Sequence, residues 1–236
     1  MKNNNKRAVI LLSGGLDSTT VLAIASSEGY TCYCLSFDYG QLQAIELQNA
    51  RANARAFGAR DHLVLRIDLD RIGGSALFSD LPLPKGRSFE ELKIGIPPTY
   101  VPARNAIFLC YAAAWAENIG TGDIFIGVNV MDYSGYPDCR PEFLHAFEEM
   151  INLGTRAGAQ KGIRFIVHAP LIMLTKAEII KQGLALGVDY GQTHSCYDPD
   201  YEGRACGECD ACLLRIRGFN EAGFSDPIPY RKGTMI

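Results

Sequence analysis

Ser13-Gly14-Gly15-Leu16-Asp17-Ser18 joins a short apolar run, Ala8 to Leu12, to a segment of helical character, and these residue types suit the binding of phosphate groups. Adjacent glycines take backbone angles closed to other residues and let the main chain approach a ligand closely, while the N–H groups at a helix start point outward at an anion. Ser13, Ser18 and Thr19 add hydroxyl donors, and Asp17 can cap the helix or help to hold a magnesium ion that accompanies the phosphates. No G-x-x-x-x-G-K-[ST] occurs in the chain, so P-loop chemistry with a lysine on the β- and γ-phosphates is disfavoured.

A second group lies near the C-terminus, where Cys196, Cys206, Cys209 and Cys212 form two overlapping C-x-x-C units with a fourth cysteine upstream. Four thiolates enclose one tetrahedral ion, short spacers let neighbouring cysteines chelate from a tight knuckle, and Gly207 allows the turn. Structural zinc suits this set better than disulfides or an iron–sulfur cluster, and His194 reads as a solvated or core histidine rather than a ligand.

The third group is the polar stretch Met131 to Arg140. Asp132 and Asp138 can accept from amine or ring N–H donors, Tyr133 or Tyr136 can stack on a planar ring, and Arg140 can grip a carboxylate or phosphate. Gly135-Tyr136-Pro137-Asp138 is also turn chemistry by itself. Cys139 is a candidate nucleophile, though a lone cysteine more often packs.

The elements that must position these groups follow from apolar runs and helix punctuation. Strands are expected at Ala8 to Leu12, Tyr30 to Phe37, His62 to Ile67, Asp123 to Val130 and Phe165 to Ala169. Helices are expected at Asp17 to Glu28, Leu42 to Phe57, Ala103 to Asn118, from Pro141 with Phe143, Phe147, Met150 and Ile151 on its inner face, and from the capping box at Thr175 to Leu186. The alternation predicts an α/β fold, a parallel sheet with helices on both faces, whose ligands lie beyond the carboxyl ends of the strands. The glycine turn and Asp38-Tyr39-Gly40-Gln41 both fall there, so a nucleotide is placed between them. Arg71 to Pro102, broken by Gly and Pro, reads as a lid or a disordered loop.

With 236 residues, of which 47 % are hydrophobic and 21 % charged, one main domain over 1–190 and a small cysteine-bearing segment over 191–236 are expected. The net charge of −3 argues against a nucleic-acid partner held by a broad basic field. No run approaches the ~18 apolar residues of a membrane span, and the apolar run after the basic N-terminus is too short for a signal peptide, so a reducing cytoplasm is expected.

SGGLDSTT, DYGQ, VPARN at Val101 to Asn105, DYSGYPDCR at Asp132 to Arg140, TKAEI at Thr175, HSCY at His194 and CGECDAC at Cys206 occur in one order along most of the chain. The glycine turn resembles the pyrophosphate-binding loop of the ATP pyrophosphatase superfamily, and the whole series resembles the 7-cyano-7-deazaguanine synthase family. That resemblance implies a Rossmann-like fold of the adenine nucleotide alpha hydrolase type with a zinc-binding helical C-terminal region, and as partners ATP with Mg2+, 7-carboxy-7-deazaguanine and ammonia, in a homodimer. It implies an ATP site over Leu12, Ser13, Gly14, Gly15, Leu16, Asp17, Ser18, Thr19, Thr20, Val21 and Leu22. Arg104, Asn105, Asp132, Ser134, Gly135, Tyr136, Asp138, Arg140 and Lys176 are implied for the substrate and its chemistry. A PP-loop tRNA-modifying enzyme of the thiolase or lysidine type is the alternative; a non-catalytic nucleotide sensor and another amide synthetase are further rivals.

Overall fold

The computed structural model describes residues 6–39, 44–78, 81–92, 94–131 and 135–233. In chain order the elements are β1 (Arg7–Leu11), α1 (Leu16–Ser27), β2 (Thr31–Asp38), α2 (Ala44–Ala56), β3 (Asp61–Arg66), α3 (Phe89–Leu92), α4 (Arg104–Ile119) and β4 (Asp123–Phe125). They continue as α5 (Pro141–Gly154), α6 (Arg156–Ala159), β5 (Ile166–His168), α7 (Lys176–Ala185) and α8 (Asp210–Ala222). The five strands are parallel in the order β3-β2-β1-β4-β5, so the direction of winding reverses between β1 and β4. A crevice opens at that reversal, beyond the carboxyl ends of the strands.

Alternation along β1 divides the core. Ala8, Ile10 and Leu12 face one cluster with residues of α1, α2, α7 and α8, whereas Val9 and Leu11 face a second with residues of α4 and α5. A strand buried on both faces needs this continuous apolar run.

Two expectations need correction. The ladder of β4 ends at Phe125 rather than running to Val130, because the chain beyond it passes beneath the first turn of α1: a Cβ on Gly127 would lie 3.0 Å from the Ser18 nitrogen. The inner stripe of α5 is Leu144, Phe147 and Ile151 with Phe143 partly buried, while Met150 is half exposed at its margin. The capping box at Thr175 forms as read: its hydroxyl accepts from the Glu178 N–H, and the Glu178 carboxylate accepts from the Thr175 N–H at 2.8 Å.

The described part of 71–102 is strapped to the cysteine region rather than standing off as a lid. Arg87 pairs with the buried Asp210 at the start of α8, Lys85 Nζ lies 2.7 Å from Asp198, and the Gly86 N–H donates to the Glu208 carbonyl at 2.9 Å.

Candidate active site

β1 leads directly into the glycine turn. Gly14 has φ +87°, and a Cβ there would stand 2.1 Å from the Glu46 carbonyl oxygen, so this glycine lets α2 pack against the turn. Its carbonyl accepts from the His194 N–H at 3.1 Å, which ties the turn to the segment leading to the cysteines. The Ser13 and Ser18 hydroxyls lie 3.0 Å apart, and the Gly15 N–H donates to Ser13 Oγ at 3.2 Å. Gly15 is the N-cap of α1 and offers no side chain to cap it, leaving the outward N–H groups of the first turn open to an anion.

Around this turn lies a cavity of about 340 Å³, lined by Leu12, Ser13, Gly15, Leu16, Asp17 and Ser18 among the expected phosphate-site residues. Gly14 shapes the turn from behind. Thr19, Thr20, Val21 and Leu22 are not brought to the cavity: all four are buried in α1, and the Thr20 hydroxyl engages the Leu16 carbonyl and the Tyr190 hydroxyl. Lys176, at the first position of α7, crosses to α1, with Nζ 2.8 and 2.9 Å from the two oxygens of Asp17. Asn129, on the extension of β4, donates to the carbonyls of Leu171 and Leu174 and so fixes the approach to α7.

The far wall is aromatic and charged. Phe37, Tyr39, Phe108, Tyr136 and Tyr197 surround Arg104, whose guanidinium carbon is 5.9 Å from the centre of the Tyr136 ring. Arg104 follows Ala103, which has φ 55° in the left-handed region, a conformation costing roughly 1–2 kcal/mol that starts α4 abruptly and aims its first residue inward. Burial disfavours the Arg104 charge, but the surrounding tyrosines more than offset this, and its pKa is raised. Glu46, from α2, reaches the same wall, and burial pushes its pKa up to about 7 against the opposing influence of Arg104.

The loop at 131–140 divides. Tyr136 lines the cavity, with its hydroxyl 2.9 Å from that of Thr99. Asp138 is turned away, its carboxylate accepting from the Asn105 N–H at 2.9 Å as an outside cap for α4. Asn105 lines the cavity, and its amide donates to the Asp138 carbonyl and to Cys139 Sγ, both at 3.2 Å. Arg140 is exposed and Gly135 lies outside the lining. Asp132 and Ser134 lie outside the described residues. Burial first, and Asp138 second, push the Cys139 thiol up to about 12, which suits packing better than nucleophilic attack.

Sequence reasoning missed Glu46 and Asn129 as site residues. Glu46 reads locally as one more polar residue in an Ala- and Asn-rich helix, and only the contact of α2 with Gly14 turns it inward. His194 is buried as a core histidine, with burial lowering its pKa to about 4.

Beside the cavity the four cysteines are buried, their sulfurs within 4.8 Å of one another. None is in a disulfide. Backbone donors surround them: the Cys206 N–H reaches Cys196 Sγ at 3.2 Å, and the Cys209 N–H reaches Cys206 Sγ at 3.3 Å. The group could hold a metal ion, and N–H donors aimed at sulfur favour the thiolates that a metal requires.

Residues 7–223 match the model of the family described as queuosine biosynthesis protein QueC. Among similar proteins, a 7-cyano-7-deazaguanine synthase of Geotalea daltonii is 63 % identical over 225 residues, covering 95 % of this chain and 96 % of that protein. Proteins of the same name from Kineococcus radiotolerans (62 % identical; 96 % and 99 % covered) and Myxococcus xanthus (60 %; 97 % and 99 %) are comparably similar. Among solved structures, an NMN synthetase from Francisella tularensis aligns over 94 % of this chain and 79 % of its own, with TM-score 0.49 and 15 % identity.

Proposed function

The chain belongs to the QueC family of queuosine biosynthesis proteins, and from that premise we propose that it converts 7-carboxy-7-deazaguanine and ammonia to 7-cyano-7-deazaguanine at the expense of ATP. The observation that carries this reading is one cavity with an anion-binding helix start and Lys176 at one end and Arg104 among tyrosines at the other. Such a cavity suits a triphosphate and a planar, anionic base side by side.

A carboxylate is a poor acyl donor. One of its oxygens attacks the α-phosphorus of ATP, and pyrophosphate leaves. Ammonia adds to the acyl carbon, AMP leaves with that oxygen, and loss of a proton gives the amide. The amide oxygen attacks a second ATP in the same way, and loss of AMP and the remaining protons gives the nitrile. The N–H groups of the first turn of α1, with the Ser13 and Ser18 hydroxyls, stabilise the departing pyrophosphate charge. Asp17 is suited to hold the Mg2+ that accompanies ATP, and Lys176, which pairs with Asp17 at the cavity edge, is placed to meet a phosphate oxygen. Arg104 pairs with the base carboxylate, and Tyr136 covers its ring.

We assign the four cysteines to a structural zinc ion, since four thiolates leave no coordination position for a substrate. A homodimer working in the cytoplasm, with residues 191–236 as the zinc-bearing segment, completes the reading. No helix among the described residues is long and apolar enough to cross a membrane.

The test is incubation of the purified protein with 7-carboxy-7-deazaguanine, MgATP and ammonium, following the base and the nucleotides by mass spectrometry. Nitrile with two AMP and two pyrophosphate per base is expected. An untouched carboxylate would overturn the reading, and RNA-dependent turnover would favour the tRNA-modifying alternative.

A further inference from the structure

Among the described residues three carboxylates line the cavity, and two of them are occupied. Asp17 is held by Lys176, and Asp210 by Arg87. The third, Glu46, accepts no hydrogen bond from the described side chains or backbone, although burial already disfavours its charge. A carboxylate drawn partly out of water among aromatic side chains is costly unless something that enters the cavity supplies hydrogen-bond donors.

The position of Glu46 is set by the fold. Its own carbonyl packs against Gly14, so the first turn of α2 is registered directly on the phosphate turn, and Arg104 stands beside it at the start of α4. The cavity therefore presents an acceptor pair next to a planar donor. An adenine ring offers a single amine donor beside a ring acceptor, which matches half of a carboxylate. A 7-carboxy-7-deazaguanine base offers, in sequence around one edge, the 2-amino and N1–H donors and then the carbonyl and carboxylate acceptors. A carboxylate meets the first two in bidentate fashion, and a guanidinium meets the next two.

Resting on the function proposed above, we propose that Glu46 is the specificity-determining residue that reads the N1–H and 2-amino edge of the base, with Arg104 on the adjoining carbonyl and carboxylate. The sequence alone had pointed to acidic residues of the 131–140 loop for this role; Asp138 is committed to capping α4. Donors reaching Glu46 stabilise its ionised form, so binding of the base releases a proton wherever the empty site is protonated.

The experiment compares 7-carboxy-7-deazaguanine with its counterpart lacking the 2-amino group, 7-carboxy-7-deazahypoxanthine, in the wild-type protein and in Glu46→Gln, each with MgATP and ammonium. The wild type should prefer the amino-bearing base by at least about 10-fold in kcat/KM, since the analogue leaves half of a charged acceptor pair unmet. In E46Q, whose amide turns one acceptor into a donor, that preference should fall to within about 3-fold while the KM for ATP is unchanged. A preference kept in full by E46Q overturns the assignment but leaves the reaction standing. No turnover of either base by the wild type overturns the reaction, and the assignment with it. Should E46Q fail to fold, the wild-type ratio decides alone, because a ratio near one overturns the role of Glu46.

Discussion

Lys176 Nζ is 2.8 and 2.9 Å from the two carboxylate oxygens of Asp17, so the first turns of α7 and α1 share one ion pair at the edge of the cavity. The lysine side chain is only 12 % exposed and is hemmed in by α8, where a Cβ on Gly218 would stand 2.3 Å from Lys176 Cγ. Lys176→Met should lower the rate of nucleotide cleavage by about 10²-fold or more, the scale for losing one stabilising group at a developing charge. Gly218→Ala, which changes no charge, should push the lysine aside and give a smaller loss in the same assay. K176M turning over within about 3-fold of the wild type would remove Lys176 from the phosphate chemistry.

Gly14 and Gly15 stand side by side but are needed for different reasons. At Gly14 both the positive φ and the Glu46 carbonyl oppose a side chain, and backbone cannot yield cheaply. Gly14→Ala should therefore destabilise the fold by roughly 2–4 kcal/mol in urea unfolding. At Gly15, φ is −80° and the nearest atom to an added Cβ is the Ser13 hydroxyl at 3.3 Å, which can rotate. Gly15→Ala should cost less than about 1 kcal/mol of stability and act on nucleotide binding instead. Equal destabilisation by both would contradict this division.

The near wall of the cavity was legible because its signals are local. The apolar run Ala8 to Leu12, the glycine pair and the hydroxyls lie within a dozen residues, and their order dictates strand, turn and helix. The far wall was legible only in part: the family resemblance implied Arg104, Asn105 and Tyr136, which line the cavity, but not Glu46. Asp138 looked like a ligand group because the N–H that it caps belongs to Asn105, 33 residues earlier, and Glu46 looked solvated because its inward setting depends on the contact between α2 and the turn. β4 was read too long because Ile126 and Val128 remain buried after the ladder ends; burial was legible, pairing was not.

The cysteine cluster should hold one zinc ion per chain, with iron and acid-labile sulfide in elemental analysis as the result that would refute it. Removing the metal, or Cys212→Ser, should lower Tm by roughly 6–12 °C, taking the loss of a structural ion as at least about 3 kcal/mol. Because Lys85 and Arg87 are pinned to Asp198 and Asp210 beside the cysteines, the same treatment should expose the strap to trypsin at those two residues. Unchanged cleavage after metal loss would show that the strap is held independently.

Glu46 should also leave a mark on stability that is separate from turnover. Its pKa in the fold is raised to about 7 from 4.5, chiefly by burial, with Arg104 opposing the shift and Tyr39 the other titratable neighbour. Between those two values the folded chain binds more protons at this site than the unfolded chain, so the contribution of Glu46 to stability falls as pH rises from about 4.5 to about 7 and is level above that. Glu46→Gln has no such dependence. Relative to the wild type, E46Q should therefore be more stable at pH 8, and the difference should shrink as pH is lowered toward 4.5. Urea midpoints for both proteins across this range measure it directly. A constant difference would mean that the carboxylate is solvated in the empty cavity, and a base entering it would then have to displace water from Glu46 instead of relieving a buried charge.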